Sequence, residues 1–270
     1  MNNNINISNW KFLIIVLASI VLLLIIPLVY QQMKKPSNQS NTASQKNNES
    51  NQKEDKKTIW GVDSASKTTN EMYKCVKENY GEPYFWGRYL GNNGDVSTGL
   101  TKKEVKFLHD KKVKVLLIYN QFSNATTKKR GIKEAETAIK MAKDINAPKG
   151  TVIFADIEPK YPVDSTFIKG WFDTIEKSDY HPGIYGIFDK DRKLYSQFNK
   201  ATQENKQIND QLILWTAAPN KGISSGKKAP KFNPSGPKES LLYGWQYGID
   251  AKKCNIDTNL FKGSINEYLW

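Results

Sequence analysis

From Thr58 onward, the apolar residues of this 270-residue chain fall into short runs that alternate with stretches of helical spacing. That alternation restricts the fold more than any other feature. Eight runs read as strands: 58–65 (TIWGVDSA), 83–90, 114–121, 150–158, 181–188, 211–218, 241–248 and 255–261. Most are rich in Val, Ile, Tyr, Phe and Trp, which fit a pleated, half-buried surface. Helical stretches follow the first five, at 70–80, 101–111, 129–146, 164–178 and 191–204. The second opens on Thr101 with Glu104 three residues later, a capping-box pattern. The third places Ile132, Ala135, Ile139 and Ala142 on one face. Strand and helix in alternation predict a parallel sheet. Eight strands predict an α/β, TIM-like (β/α)8 barrel rather than an open sheet. The 213 residues of 58–270 lie close to the lower bound of about 200 for that fold. The barrel is therefore expected to be irregular, with later helices shortened or missing. The stretch 220–240 agrees, because it reads as loop where a helix would otherwise stand. No Gly-rich phosphate loop follows any strand, which argues against a nucleotide-binding doubly wound sheet.

A different kind of segment precedes the barrel. Phe12 to Tyr30 (FLIIVLASIVLLLIIPLVY) carries no charge. As a helix it would span about 28 Å, close to the hydrocarbon thickness of a bilayer. The following PLVYQQMKK offers no small-residue cleavage site, so residues 1–30 are expected to be an uncleaved transmembrane anchor. Residues 31–57 contain no aromatic residue and no periodicity, and read as a disordered polar linker. Residues 58–270 form the barrel domain. Lys34 and Lys35 follow the apolar run and only Lys11 precedes it. Taken alone, that bias would hold the C-terminal part in the cytoplasm, but long domains can translocate regardless of it.

Chemistry concentrates at the expected strand ends. In Phe154-Ala-Asp156-Ile-Glu158-Pro159, the two acids are two residues apart and so share a face. Paired carboxylates at that range suit glycoside hydrolysis, with burial and mutual repulsion raising one pKa as a general acid needs. Asp63 ends the first strand and Asp257 lies on the last. Those strands are neighbours in a closed barrel, so both acids could join the pair. Solvated strand-end acids, or a turn role for Asp63, are the plainer readings. Tyr119, Tyr185, Trp215, Trp245 and Tyr247 offer flat faces for sugar rings, as do Trp86 and Tyr89. For any one of them, core packing is an equal reading. Arg88, Gln246 and Asn259 are candidate polar contacts.

Two His exclude most multi-His metal sites and two Cys exclude an all-Cys zinc site, and no metal or cofactor is expected. The net charge is +13, of which +9 falls on residues 58–270. An anionic partner or environment is implied. Nucleic acid is a poor fit, because the charge is mostly dispersed Lys without a recognition motif.

The motifs GVDSAS (61–66), FADIEP (154–159), GIYG (183–186), LWTAAP (214–219) and GWQYGID…NIDTNLF (244–261) occur in an order that resembles the glycoside-hydrolase-like domain family known as domain of unknown function 1906. More distantly, the chain resembles the family-25 lysozymes, or N-acetylmuramidases. The likeness spans about residues 58–262. It implies an irregular barrel acting on the β-1,4 glycan links of bacterial peptidoglycan. Glu158 would then be the proton donor and Asp156 the partner that positions an N-acetyl group or assists water. Asp63 and Asp257 would be the other acids of the pocket. Asp63-Ser-Ala-Ser is followed by Lys67-Thr-Thr, where the lysozymes usually carry Gln. A wall-binding barrel of the same fold without turnover is therefore the alternative. Either reading puts residues 58–270 outside the membrane, with anionic wall polymers as further partners. Cys75 lies on the first helix and Cys254 just before the last strand, elements that approach each other in a closed barrel. An oxidising exterior favours a disulfide between them over two free thiols.

Overall fold

The structure, a computed structural model, describes residues 57–270. The expected membrane anchor and residues 31–56 of the linker lie outside the described residues. Among the described residues, no helix is long and apolar enough to cross a membrane.

Eight strands close into a barrel in chain order: β1 (Thr58–Ser64), β2 (Phe85–Tyr89), β3 (Lys114–Tyr119), β4 (Val152–Ile157), β5 (His181–Gly186), β6 (Ile213–Ala217), β7 (Leu242–Gly248) and β8 (Asp257–Lys262). Helices α1 (Asn70–Asn79), α2 (Lys102–Asp110), α3 (Lys128–Asp144), α4 (Ser165–Glu176) and α5 (Lys193–Glu204) follow the first five strands. A short α6 (Lys206–Gln211), not expected from the sequence, leads into β6. Between β6 and β7 there is only a 3-10 turn, Gly226–Lys228. The irregular (β/α)8 expectation therefore holds, with its later helices missing.

The expectation of a wholly parallel sheet does not hold. β8 runs antiparallel to both β7 and β1. Residues 249–256 join β7 to β8, too short a link for a parallel crossover of about a dozen residues or more, so the pair forms a hairpin. The reversal has a direct chemical effect. It brings the first residue of β8, Asp257, level with Asp63 near the end of β1.

Side chains alternate between two packed layers. Ile59, Phe85, Leu116, Ile118, Val152, Phe154, Trp215 and Phe261 fill the barrel interior. Val62, Trp86, Leu117, Ile153 and Ala155 face outward against helix residues such as Val76, Leu108, Phe167 and Trp171. Each fully buried large side chain contributes about 1.5–3 kcal/mol relative to exposure. Gly61 and Gly244 have no Cβ because the rings of Phe85 and Phe261 occupy that space. A 3-10 turn at Gly263–Tyr268 closes the floor, where Ile265 and Leu269 join the interior layer. Val115 and Trp270 exchange two backbone hydrogen bonds there, at 2.8 and 3.0 Å. The opposite end is the mouth. It is built from the C-terminal ends of β1–β7 and the N-terminal end of β8.

Helix starts follow their caps. The hydroxyls of Thr69 and Thr101 accept from the backbone N–H groups of Met72 and Glu104. The capping box at Thr101 is only half made. Glu104 turns inward instead, where Oε1 accepts from Thr68 N at 2.8 Å and from Arg88 Nε at 2.7 Å. A buried guanidinium outcompetes a surface backbone donor for that carboxylate.

Candidate active site

Four carboxylates stand at the mouth. Asp156 is the last inward-facing residue of β4 and is 3% exposed. Glu158 follows the strand and is half-buried. Strand geometry sets their Cα atoms about 6.5–7 Å apart. Asp63 and Asp257 face each other across the β1–β8 pair.

An amide network holds the second pair. Trp215 Nε1 can only donate, and it donates to Asn259 Oδ1 at 3.0 Å. That leaves Asn259 Nδ2 to donate to Asp63 Oδ1 at 2.6 Å. The Tyr185 hydroxyl donates to Gln246 Oε1 at 2.7 Å. Gln246 Nε2 then donates to Asp63 Oδ1 at 3.1 Å and to Asp257 Oδ2 at 3.2 Å. The backbone N–H of Asp250 donates to the other oxygen of Asp257 at 2.8 Å. The two aromatic donors thus fix the orientation of both amides, and the amides fix the acids.

Burial raises the pKa of all four acids. Asp63 is pushed up to about 6 by burial, against the opposing hydrogen bonds from Asn259 and Gln246. Burial, reinforced by the charge of Asp63, pushes Asp257 up to about 8. Asp156 is raised well above the usual carboxylate range by burial, then by the charges of Glu158 and Asp63, while a hydrogen bond from Tyr89 opposes the rise. Glu158 is raised by burial and partly restored by Lys160. Asp156 Oδ1 is buried with no hydrogen-bond partner in the protein. The mouth therefore combines an accessible acid whose pKa is raised, a buried acceptor without a donor, and two acids fixed by neutral amides. Among the described residues, no three His, Cys, Asp or Glu side chains are grouped as ligands of one metal ion.

The structure brings eight of the sequence candidates together: Asp63, Asp156, Glu158, Asp257, Tyr185, Trp215, Gln246 and Asn259. Four others lie in the outer layer. Arg88 is fully buried; it pairs with Glu104 and donates to the carbonyls of Ser64, Ala65 and Thr98. It thereby staples the loop that follows Asp63. Tyr119 donates to Glu134 at 2.6 Å and packs against Trp171 of α4. Trp245 donates to the carbonyl of Ala218, and Tyr247 accepts from Trp60 Nε1. These four fall on the outward parity of their strands. The strands are apolar on both faces, so the sequence pattern leaves parity undetermined. Tyr89 does reach the cluster, beside Asp156. It shares the inward parity of Phe85 and Gly87, the one signal that could have ranked it above Arg88. Tyr161, on the loop after β4, also senses the charges of Asp156 and Glu158.

Cys75 of α1 and Cys254 of the β7–β8 connection are joined by a disulfide, with Cα atoms 5.7 Å apart.

The family profile described as "Rv2525c-like, glycoside hydrolase-like domain" matches residues 82–237, more than half of the chain. This chain belongs to the Rv2525c-like glycoside hydrolase-like domain family. The matched span holds Asp156 and Glu158, while Asp63, Gln246, Asp257 and Asn259 lie beyond it. Among solved structures, an uncharacterized B. stearothermophilus protein is 37% identical, with a TM-score of 0.76, covering 78% of this chain and 100% of its own. The Mycobacterium tuberculosis Tat-secreted protein Rv2525c is 14% identical, with a TM-score of 0.51, covering 74% of this chain and 94% of its own. A muramidase from Acremonium alcalophilum is 13% identical, with a TM-score of 0.50, covering 78% of this chain and 99% of its own. At those identities the last two show the shared barrel. No significant match was found among curated proteins. This chain thus has a glycoside hydrolase-like barrel whose fold is shared with a muramidase.

Proposed function

We propose that this protein is a hydrolase of bacterial cell-wall glycan. It would cleave the β-1,4 link between N-acetylmuramic acid and N-acetylglucosamine, with Glu158 as general acid. The observation that carries the proposal is the pairing of Glu158 with Asp156 at the mouth. Glu158 is half-buried, raised in pKa and open to a ligand. It donates its proton to the glycosidic oxygen as the bond to the anomeric carbon breaks, and water supplies the new hydroxyl. The free oxygen of Asp156 is the natural acceptor for an acetamido N–H of the substrate. Asp63 gains negative charge as pH rises through its shifted range, and Asn259 and Gln246 hold it in place to stabilise positive charge developing on the sugar. No cofactor is needed for that chemistry.

The reading extends to location. Residues 12–30 act as a membrane anchor and 31–57 as a tether, with the barrel on the extracytoplasmic side. The Cys75–Cys254 disulfide supports an oxidising compartment, and the secreted character of Rv2525c supports the same side. Anionic wall polymers are attracted by the +9 charge of residues 58–270. Lys67-Thr-Thr after the first strand keeps a second reading in view, a barrel that binds wall glycan without cleaving it. The test is to incubate the purified protein with peptidoglycan sacculi and analyse released fragments by mass spectrometry, beside Glu158→Gln. New N-acetylmuramic acid reducing ends, absent with the variant, are expected. Binding without release would select the second reading.

A further inference from the structure

A groove of about 500 Å³ runs along the side of the barrel and shares no residue with the carboxylate cluster. One wall is α5, presenting Tyr195, Asn199 and Gln203. The other is built by Asn209 of α6 and the 236–240 segment with Lys238, and Lys190 stands at the end nearest the mouth. The groove exists because no helix follows β6. A helix in that position would cover this face of α5. The face was written for exposure, but not for ordinary solvation. Leu194, Phe198 and Ala201 anchor α5 to the core. Tyr195, Asn199, Thr202 and Gln203 fall at i, i+4, i+7 and i+8, one continuous uncharged row. The outer face of α3, by contrast, carries Lys129, Lys133, Glu136, Lys140 and Lys143.

In that row only the Thr202 hydroxyl is committed, donating to the carbonyl of Asn199 at 2.8 Å. Among the described residues, the Tyr195 hydroxyl and the Asn199 and Gln203 amides have no side-chain partner, and Lys190 and Lys238 form no ion pair. Asn209 is committed to the wall itself, donating to the carbonyl of Glu239 at 3.0 Å. Amides offer a donor and an acceptor side by side, which matches vicinal hydroxyls and acetamido groups. A tyrosine ring adds a flat apolar face beside a polar tip. A nucleic acid would call for denser positive charge, and a protein partner for an apolar centre.

We propose that this groove is a second glycan-binding site. It takes a stretch of wall polysaccharide along α5, with acidic substituents of the strand against Lys190 and Lys238. The helix is about 18 Å long, enough for several sugar rings. The groove would hold a glycan strand against the barrel while the mouth acts on it. The proposal rests on the wall-glycan reading of the mouth.

The test measures binding, not turnover, with the detergent-solubilised full chain carrying Glu158→Gln so that polymer stays intact. The ligands are peptidoglycan sacculi in a co-sedimentation assay and an N-acetylglucosamine hexamer in calorimetry. Tyr195→Ala combined with Asn199→Ala and Gln203→Ala should weaken sacculus binding by at least about tenfold, with the melting temperature unchanged. The near-isosteric pair Asn199→Asp and Gln203→Glu removes the donors, keeps the volume, and should do the same. Unaltered binding by both variants would overturn the groove and leave the mouth reading standing. Failure of the Glu158→Gln parent itself to bind either ligand would overturn both.

Discussion

Asn259 gives the network at the mouth a measurable signature. It is fully buried, it is the acceptor for Trp215 Nε1, and it is one of two amides donating to Asp63 Oδ1. Asn259→Leu keeps the branched shape at a larger volume and removes both bonds, and any overpacking it adds is independent of pH. Leaving the indole N–H buried without a partner costs about 1–3 kcal/mol at any pH. The bond to Asp63 depends on charge. To a protonated acid it contributes about 1 kcal/mol, and to the carboxylate about 1.5–3 kcal/mol. With the Asp63 pKa at about 6 in the native protein, the acid is mostly protonated at pH 4.5 and ionised at pH 8. The variant should therefore lose about 2–4 kcal/mol at pH 4.5 and about 0.5–2 kcal/mol more at pH 8. By linkage, that extra loss is a rise of about one unit in the Asp63 pKa. Guanidinium unfolding of wild type and variant at the two pH values measures it. An equal loss at both, within about 0.5 kcal/mol, would refute the claim that Asn259 acts on the charge of Asp63.

The wild-type pH profile should show the same cluster. Asp63, Asp257, Asp156 and Glu158 bind their protons more tightly folded than unfolded, so their contribution is full below about pH 4 and is lost as pH rises towards about 8. Asp257→Asn should flatten that decline in thermal melts, and an unchanged slope would count against the assignment. On activity, Glu158→Gln should lower glycan release by about 10²–10⁴-fold without loss of stability; release at wild-type rate would exclude it as the acid. Removing the disulfide with Cys75→Ser and Cys254→Ser should cost up to about 5 kcal/mol in the chain-entropy account, since it closes most of the domain into one loop. Gly131 of α3 meets α4 so closely that a Cβ would strike the carbonyl oxygen of Phe167. Gly131→Ala should therefore destabilise by at least about 1–3 kcal/mol, read from the denaturation midpoint.

Element existence was legible in the sequence because each strand and helix carries its own period. The eight strands and the first five helices appear within a few residues of their expected bounds, and 220–240 forms no α-helix. Two things were not legible. The direction of β8 depends on the length of its preceding connection and not on its composition, so NIDTNLF reads the same either way. Side-chain parity was the other. Asp156 and Glu158 could be paired from spacing alone, whereas Arg88 and Tyr89, adjacent on a strand apolar on both faces, point to opposite layers. Arg88 reads as a candidate polar contact of the site, yet its partner is Glu104, which reads as half of a capping box. The network through Asn259 and Gln246 joins residues nearly two hundred positions from Asp63, which no local pattern encodes.

The backward run of β8 also decides at which end of the barrel the last residues lie. Lys57 accepts a hydrogen bond from Gly263 at the floor, and Trp270 is fastened to Val115 at the same end. Lys57 and Trp270, the two ends of the described residues, thus lie at one base of the barrel, with the carboxylate pit at the opposite pole.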